Sequence, residues 1–399
     1  MLRRIHSPIL LANVADARAS AFIVLFTCDA IARSLLISLL PLQVYAQLGD
    51  AQLVSMVYFS VALLGLAATL TVPIILHRIR RRWILTTGAA AQMSSAGLFA
   101  LGGGQWVVAG LALQALAIAM LDVVINLYLL DHVPRRELTV FEPRRLLFAG
   151  SAFAAGPWLG VFLHRHVVQW FPYLIAGVAM LALLTFFWAM RLADNPSLQT
   201  ATAPPPNPMR FMRRFASQPR LVLSWLLALG RNGWWVMNFM CVPIYVTSAG
   251  YPPEVGGALV SLGLAPMLLV RVWGRIGQKI GARALLMFAY GMTGGLSLLA
   301  AAAAAAGATL TCMAFVCMAA FAATIIDGAG NLPFLRAVHH YERSEMTSVF
   351  MTFRHVGALC IPGLLMLVLW VMPLPSVFVV GGIISLAAAA LSRFLPRGL

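Results

Sequence analysis

The chain has 399 residues, of which 61% are hydrophobic and only 10% are charged, with a mean hydropathy of +0.88. No polar stretch is long enough to cover a soluble globular surface, so this composition excludes a water-soluble fold and predicts a chain solvated mostly by lipid. The net charge of +16 comes from 27 arginines and one lysine in short tracts between apolar runs, a pattern that argues against nucleic-acid binding and indicates charges that orient helices in a bilayer.

Apolar windows of about 20 residues, the length that crosses the hydrocarbon core of a membrane, recur twelve times along the chain. The predicted spans 1 to 12 cover 20–42, 52–76, 83–103, 105–130, 145–165, 168–191, 220–248, 254–274, 282–304, 307–335, 346–370 and 375–394. The apolar run before span 1 is too short for a cleaved signal peptide, and we interpret it as a cytoplasmic lead-in. The sequence therefore predicts an all-α membrane protein with twelve transmembrane helices.

The basic residues predict how these spans are oriented. If the N-terminus is cytoplasmic, 24 Lys and Arg residues lie on the cytoplasmic side and only Arg165 lies in the opposite loops. Positive residues concentrate on the cytoplasmic side of membrane proteins, so both termini are predicted to be cytoplasmic, in the inner membrane of a bacterium.

The longest connection divides the chain into two halves. The proposed organisation is a six-helix half over 1–192, a linker over 193–219 and a second six-helix half over 220–399. Clustered prolines in the linker resist both helix and sheet, and its basic end is expected to contact anionic lipid headgroups.

An internal repeat supports the division into halves. Asp122, Asn126 and Leu127 stand 205 residues before Asp327, Asn331 and Leu332. The same register pairs Glu137 with Glu342, Phe148 with Phe353 and Pro157 with Pro362. Polar residues are scarce here, so their coincidence at one register predicts two copies of a single unit, an arrangement on which many transporters are built.

Two loop signatures make the chain resemble the major facilitator superfamily of transporters. That family marks the loops after spans 2 and 8 with a Gly-x-x-x-Asp-(Arg/Lys)-x-Gly-(Arg/Lys)-(Arg/Lys) pattern. The second loop here carries the matching residues Gly274, Lys279, Gly281 and Arg283, while the first retains Arg78 within a basic tract. Both copies lack the aspartate. The resemblance implies two pseudo-symmetric six-helix halves around a central cavity lined by spans 1, 4, 7 and 10.

Span 5 carries a further element of the resemblance. Gly156, Pro157 and Gly160 form a Gly-Pro-x-x-Gly pattern that is similar to the element marking drug/proton exporters in this superfamily. Its physical content is the close approach of a neighbouring helix at the glycines, together with a proline bend. The span-4 pattern of the exporters is only half present, because Leu111 stands where they have arginine.

Charged residues inside the spans are the candidate functional groups, since each one is costly in the bilayer core. They are Asp29, Arg33, Asp122, Arg231, Asp327 and Arg354. Asp29 and Arg33 are four residues apart, as in an ordinary helical ion pair. Asp327 is predicted to pair with Arg354 at the same depth on the next span. The repeat places Ala149 where Asp122 would need the same partner, so Asp122 is predicted to be the principal proton carrier, coupled to Asp29, with Asp327 as a further candidate.

Polar and aromatic residues near these charges are the candidates for substrate contact. They are Arg33, Asn126, Arg231, Trp234, Trp235, Asn238 and Asn331. Two tryptophans beside an arginine suit an amphipathic or aromatic molecule. Helix packing is the alternative for the tryptophans, and hydrogen bonding to backbone near Pro333 is the alternative for the asparagines.

These observations predict a secondary transporter that functions as a monomer, moves a small amphipathic molecule by alternating access and exports it in exchange for protons. Uptake of a small metabolite is one alternative, and a non-transporting receptor or scaffold with the same fold is another. No phosphate loop, nucleophile elbow or ligand cluster suggests an enzyme, a metal or a cofactor. The five cysteines all lie in apolar runs, which favours buried packing over disulfides.

Overall fold

The computed structural model describes residues 17–76, 78–132, 138–190, 208–339 and 343–396, and the regular structure in these ranges is helical. The first half contains α1 (Ala17–Ile37), α2 (Leu39–Leu48), α3 (Ala51–Leu76), α4 (Arg81–Leu101), α5 (Gly104–His132), α6 (Leu138–His166) and α7 (Phe171–Ala189). A short helix, α8 (Pro208–Ala216), precedes the second half. The second half contains α9 (Pro219–Ser248), α10 (Pro253–Leu264), α11 (Val270–Ile280), α12 (Ala282–Ala305), α13 (Thr309–Ala329), α14 (Leu332–Ala337), α15 (Arg343–Phe350), α16 (Phe353–Val371) and α17 (Ser376–Ser392).

The twelve predicted spans correspond to these helices, which confirms the predicted fold class. Within the described ranges, nine helical stretches are long and apolar enough to cross a membrane. Two shorter apolar stretches, Pro253–Leu269 and Ser376–Ser392, account for spans 8 and 12, and the 30-residue α9 accounts for span 7. Spans 1, 8, 10 and 11 are each divided into two helices.

Proline explains three of the four divisions, because it has no N–H to donate to the carbonyl four residues earlier. Pro41 follows the break between α1 and α2 at Ser38, and Pro333 follows the break between α13 and α14. Pro266 lies in a 3-10 turn, Ala265–Leu269, that joins α10 to α11. At the fourth break, the Thr352 hydroxyl donates to the Val349 carbonyl at 2.7 Å, a local bond that competes with the helical ladder.

The sequence motif after span 8 is helical where a loop was expected. Residues Gly274 to Lys279 belong to α11, and the chain turns only at Gly281, whose φ of +87° is favourable for glycine. Helix continues because Trp273 and Ile276 pack against the core formed by α12 and α13. Arg78, by contrast, lies in the turn between α3 and α4, and Arg283 lies in the first turn of α12.

The predicted linker also contains helix that the proline content did not suggest. Pro208 stands at the first position of α8, where proline is tolerated, and Phe215 is buried against the ends of later helices. Residues 193–207 of the linker, and Glu137 and Glu342 of the repeat, lie outside the described residues.

The helix ends define two faces of the bundle. We call the face with the turn at Arg78–Arg80 and the helix α8 the basic face, and the opposite face the distal face. The halves meet through α3 with α16, α6 with α10 and α2 with α9. The second span of each half, α3 or α10, contacts the fifth span of the other half, α16 or α6. This exchange of equivalent contacts is expected for two repeats related by an axis along the membrane normal.

Candidate functional site

Two carboxylates of the first half share one arginine. Arg33 on α1 donates from Nε to Asp29 Oδ1 at 2.9 Å and from Nη2 to Asp122 Oδ1 at 2.6 Å. Asp29 and Arg33 are mostly buried, with side-chain exposures of 13% and 20%, whereas Asp122 on α5 is 45% exposed. One guanidinium neutralises only one of the two carboxylates, so the triad carries one surplus negative charge when both acids are ionised.

The Gly-Pro-x-x-Gly element fixes the segment of α1 that follows Arg33. A Cβ on Gly156 would lie 2.7 Å from the Ser34 carbonyl carbon, and one on Gly160 would lie 2.8 Å from the Leu35 carbonyl carbon. Any side chain at either position would push α6 away from the α1 backbone. The structure thus shows α6 in close contact with α1 at these glycines, directly after the α1 residue Arg33.

Asp122 is thus not the isolated carboxylate that the repeat suggested. Its partner comes from α1 rather than from α6. Helix α5 packs mainly on α3 and α4, and it also contacts α1, which carries Arg33. Ala149 lies on α6, the next span along the chain, and does not determine whether Asp122 has a partner on another helix.

The second half holds a simpler pair of charges. Arg231 Nε on α9 lies 3.5 Å from Asp327 Oδ1 on α13, with side-chain exposures of 10% and 19%. Trp235 Nε1 donates to Asp327 Oδ2 at 3.0 Å, so the carboxylate is held from two sides. Gly330 permits this approach, since a Cβ there would lie 3.1 Å from Arg231 Cζ.

The predicted Asp327–Arg354 pair is wrong. The helices α13 and α16 are not packed neighbours, since α16 packs on α9 and α3, while α13 packs on α12 and α10. Arg231 on α9 reaches Asp327 instead. The charge pairs of both halves consequently follow one rule: an arginine on the first helix of the half binds the aspartate on its fourth span.

The remaining site residues fall into an exposed group and a buried group. Asn126 and Asn331 are exposed; Asn126 donates to the Asp122 carbonyl at 2.7 Å, and Asn331 Oδ1 accepts from Arg231 Nη2 at 3.2 Å. Trp234 and Asn238 are buried at 2% and 1% exposure. The Trp234 ring donates to Ser297 Oγ at 3.0 Å on α12, so it lies in the core rather than at the predicted substrate site.

Trp235, also predicted to contact substrate, is 8% exposed and stacks on Phe239 with a centroid separation of 5.4 Å. Its indole N–H is used by Asp327. The structure therefore assigns the two tryptophans to packing and to orienting a carboxylate.

Within the described ranges, the hydrogen bonds that join the two halves lie between α6 and α10, with a salt-bridge cluster at the distal end. Glu254 on α10 binds Arg165 Nη1 at 3.2 Å and His166 Nε2 at 2.8 Å, both at the end of α6. The Trp158 amide donates to Ser261 Oγ at 2.9 Å between the same two helices. Asp122, Asn126, Asn331 and Arg354 have exposed side chains and lie nearer the basic face, whereas the contacts between α6 and α10 close the distal side.

A separate surface cavity lies beside this site. It has a volume of about 770 Å³ and is lined at the basic face by the start of α9 and the end of α14, including Arg220 and Arg336. Its lining residues do not include the intramembrane charges, so the site is defined by the ion pairs and not by this cavity. Among the described residues no group of three or more His, Cys, Asp or Glu is placed to hold a metal ion.

Two helical halves that each hold an ion pair among their membrane-spanning helices define a multi-pass membrane protein of the transporter class. The sequence matches the family profile of the Major Facilitator Superfamily over residues 22–362, and the chain belongs to that family. Comparison with curated protein sequences gives no significant match.

Solved structures show the same fold at low sequence identity. A POT family transporter in complex with 5-aminolevulinic acid superposes with a TM-score of 0.74 at 11% identity, covering 94% of both chains. The nucleoside transporter NupG gives 0.69 at 11% identity, covering 95% of this chain and 98% of that chain. A bacterial homologue of the iron transporter ferroportin in an inward-facing state gives 0.68 at 14% identity, covering 94% and 96%. These likenesses concern the fold.

Proposed function

We propose that the protein is a proton-coupled secondary transporter that exports a small molecule by alternating access. The observation that carries the proposal is the triad in which Asp29 and Asp122 share Arg33. Protonation of one carboxyl makes this triad neutral, and deprotonation restores a negative charge in the bilayer core. A group whose charge state changes at that depth is suited to couple proton movement to a conformational change.

The proposal revises the role of Asp122. The proton-binding unit is the carboxylate pair, in which the exposed Asp122 exchanges protons with the cavity while Asp29 and Arg33 set its charge environment. Proton coupling is favoured over sodium coupling, because one carboxylate pair held by a guanidinium does not provide the oxygen cage that a metal cation requires. A scaffold without transport has no need for surplus charge at this depth.

The orientation that completes the proposal places the basic face in the cytoplasm, with both termini there, as the 24-to-1 distribution of basic residues predicts. The conformation described here would then be open to the cytoplasm, ready to accept a molecule for export. A reporter fused near Pro205 should behave as cytoplasmic and one at Gly103 as external. The reverse result would contradict the orientation and the direction of transport.

The coupling is tested by reconstitution. A thermal-stability screen of purified protein against metabolites and drugs identifies a compound that binds the native state. Its movement into liposomes is then measured with and without a pH gradient. We expect gradient-driven movement to be lost in Asp122→Asn and in Asp29→Asn, while binding of the compound persists.

Asp50→Asn is the matched control, since Asp50 lies in the distal turn between α2 and α3 and its carboxylate accepts from the Gln52 amide at 2.7 Å. It should transport like the wild type. Gradient-driven movement that survives in both triad variants would contradict the proposed proton site. Loss of folded protein in both would instead favour a structural role for the triad.

A further inference from the structure

Among the described residues, Arg354 is the intramembrane charge that has no counterion in direct contact. Its side chain is exposed, and within the described part of the chain its guanidinium forms no ion pair and no hydrogen bond. Its backbone carbonyl accepts from Asn232 Nδ2 at 3.4 Å, and the guanidinium carbon lies 5.9 Å from the centre of the Phe353 ring. The ring contact is within the range of a weak cation–π interaction and leaves the donors of the guanidinium unused.

The exposed guanidinium faces the space between the halves. Arg354 and Arg231 of α9 both lie over the Phe353 ring, with their guanidinium carbons 5.9 and 5.7 Å from its centre. Arg33 on α1, Asp122 on α5 and Arg145 on α6 are also within electrostatic range, so charged groups of both halves lie near the Arg354 side chain. Arg354 is therefore directed into the cavity and not into lipid.

The charges around Arg354 are predominantly positive. Of the four groups, one is a carboxylate and three are guanidiniums. The carboxylate, Asp122, contacts Arg33 at 2.6 Å and not Arg354, and protonation of the triad removes its surplus negative charge. Arg231 is similarly bound by Asp327. An arginine in a membrane interior ordinarily has a partner, and the described residues supply none in direct contact with Arg354.

We infer that Arg354 binds an anionic group of the transported molecule, which makes the substrate class a small organic anion carrying a carboxylate or a phosphate. The planar guanidinium with its fork of N–H donors matches both groups. The exposed amides of Asn126 and Asn331 and the half-buried His355 supply neutral polar groups around the same space. Calling the bound anion a substrate rests on the proposed transport function, whereas the anion site itself does not.

Thermal unfolding of the purified protein at constant ionic strength tests the site. The probes are inorganic phosphate, acetate and succinate, with succinamide as an uncharged analogue and chloride as the balancing salt. We expect at least one of the three anions to raise the unfolding temperature of the wild type and succinamide to leave it unchanged.

Three variants separate the role of Arg354 from general charge effects. Arg354→Gln should weaken the apparent affinity for the anion by roughly tenfold or more, because a charge-assisted, bidentate contact is lost. Arg354→Lys keeps the positive charge but lacks the planar fork of N–H donors, so its affinity for the anion should fall between those of the wild type and Arg354→Gln. Arg213→Gln removes an exposed charge on α8 and should bind like the wild type. Because Arg354 has no ion pair to break, its Gln variant should unfold near the wild-type temperature without ligand.

Equal stabilisation of the wild type and Arg354→Gln would overturn the inference, as would a wild type that none of the anions stabilises. Nanodiscs with and without phosphatidylglycerol identify the source of the anion. Arg354-dependent stabilisation by this lipid alone would assign the site to a headgroup and overturn the substrate assignment.

Transport measurements separate this inference from the proposed function. Arg354-dependent anion binding without exchange of radiolabelled anion across liposomes would support the anion site and contradict the transport function. Equal transport of an uncharged compound by the wild type and Arg354→Gln would support the transport function and contradict the assignment of an anionic substrate.

Discussion

The contact between the halves at Gly257 predicts a variant that changes the balance between conformations. Gly257 lies one turn into α10, and a Cβ at this position would be 2.8 Å from the Pro157 carbonyl oxygen and 3.2 Å from Trp158 Cα on α6. Both neighbours are backbone atoms, which have no side-chain rotamer that could move them away. Gly257→Ala therefore requires the two halves to separate on the distal side.

The magnitude follows from the geometry. Ordinary contact begins near 3.4 Å, so a Cβ placed 2.8 Å from the Pro157 oxygen requires a separation of at least about 0.6 Å. Overpacking of this kind typically costs about 1 to 3 kcal/mol. The cost applies only while the distal face is closed, so Gly257→Ala should increase the distal-open population relative to the closed one by roughly 5-fold to 150-fold.

Spin labels at Val168 and Val371, exposed positions on the distal ends of the two halves, report this separation as a distance distribution. Gly160→Ala is the first control, because it meets the Leu35 backbone within one half and should destabilise both conformations equally. Gly177→Ala is the second, since nothing lies within 4 Å of a Cβ there and alanine favours helix. An unchanged distance distribution in Gly257→Ala, or an equal shift in Gly160→Ala, would exclude the predicted separation of the halves at this contact.

Two further predictions concern ion pairs. Asp327→Asn and Arg231→Gln should each lower the unfolding free energy by about 3 kcal/mol, and the double variant should recover part of that loss. The free-energy changes of Asp327→Asn and Arg354→Gln should simply add in their double variant. Additive changes for Asp327→Asn and Arg231→Gln would exclude the contact between these residues. Glu254→Gln removes the charge that binds Arg165. A solvent-accessible salt bridge of this kind contributes up to about 1 kcal/mol, so the variant should raise the distal-open population by at most about fivefold at low salt. The increase should be smaller at high salt, because salt screens the interaction. A salt-independent effect would show that the contact acts through packing instead.

The sequence was sufficient for the number of spans and for the residues that carry charge into the membrane. It also predicted the close helix approach at Gly156 and Gly160, because small residues one turn apart have few other uses in an apolar helix. Hydropathy indicates which segments enter the membrane, and the hydropathy of a segment depends only on its own residues.

Sequence could not establish which helices are neighbours. Arg231 and Arg354 lie at similar predicted depths, so depth alone cannot choose between them as the partner of Asp327. The choice is made by lateral packing, which places α9 and not α16 beside α13. The same missing information made Asp122 look unpaired, although Arg33 stands opposite it. The helical extension through Gly274 depends equally on tertiary contacts, since α11 is stabilised by packing against α12 and α13.

Each buried ion pair that the described helices form joins helices of the same half, and this has a kinetic consequence. When the halves rock against one another, both clusters move as parts of rigid bodies and no buried salt bridge has to be desolvated or broken. The activation barrier then arises mainly from separating apolar and glycine-lined helix faces, and from the lipid or water that fills the gap. Turnover should accordingly respond to temperature and to the lateral pressure of the bilayer.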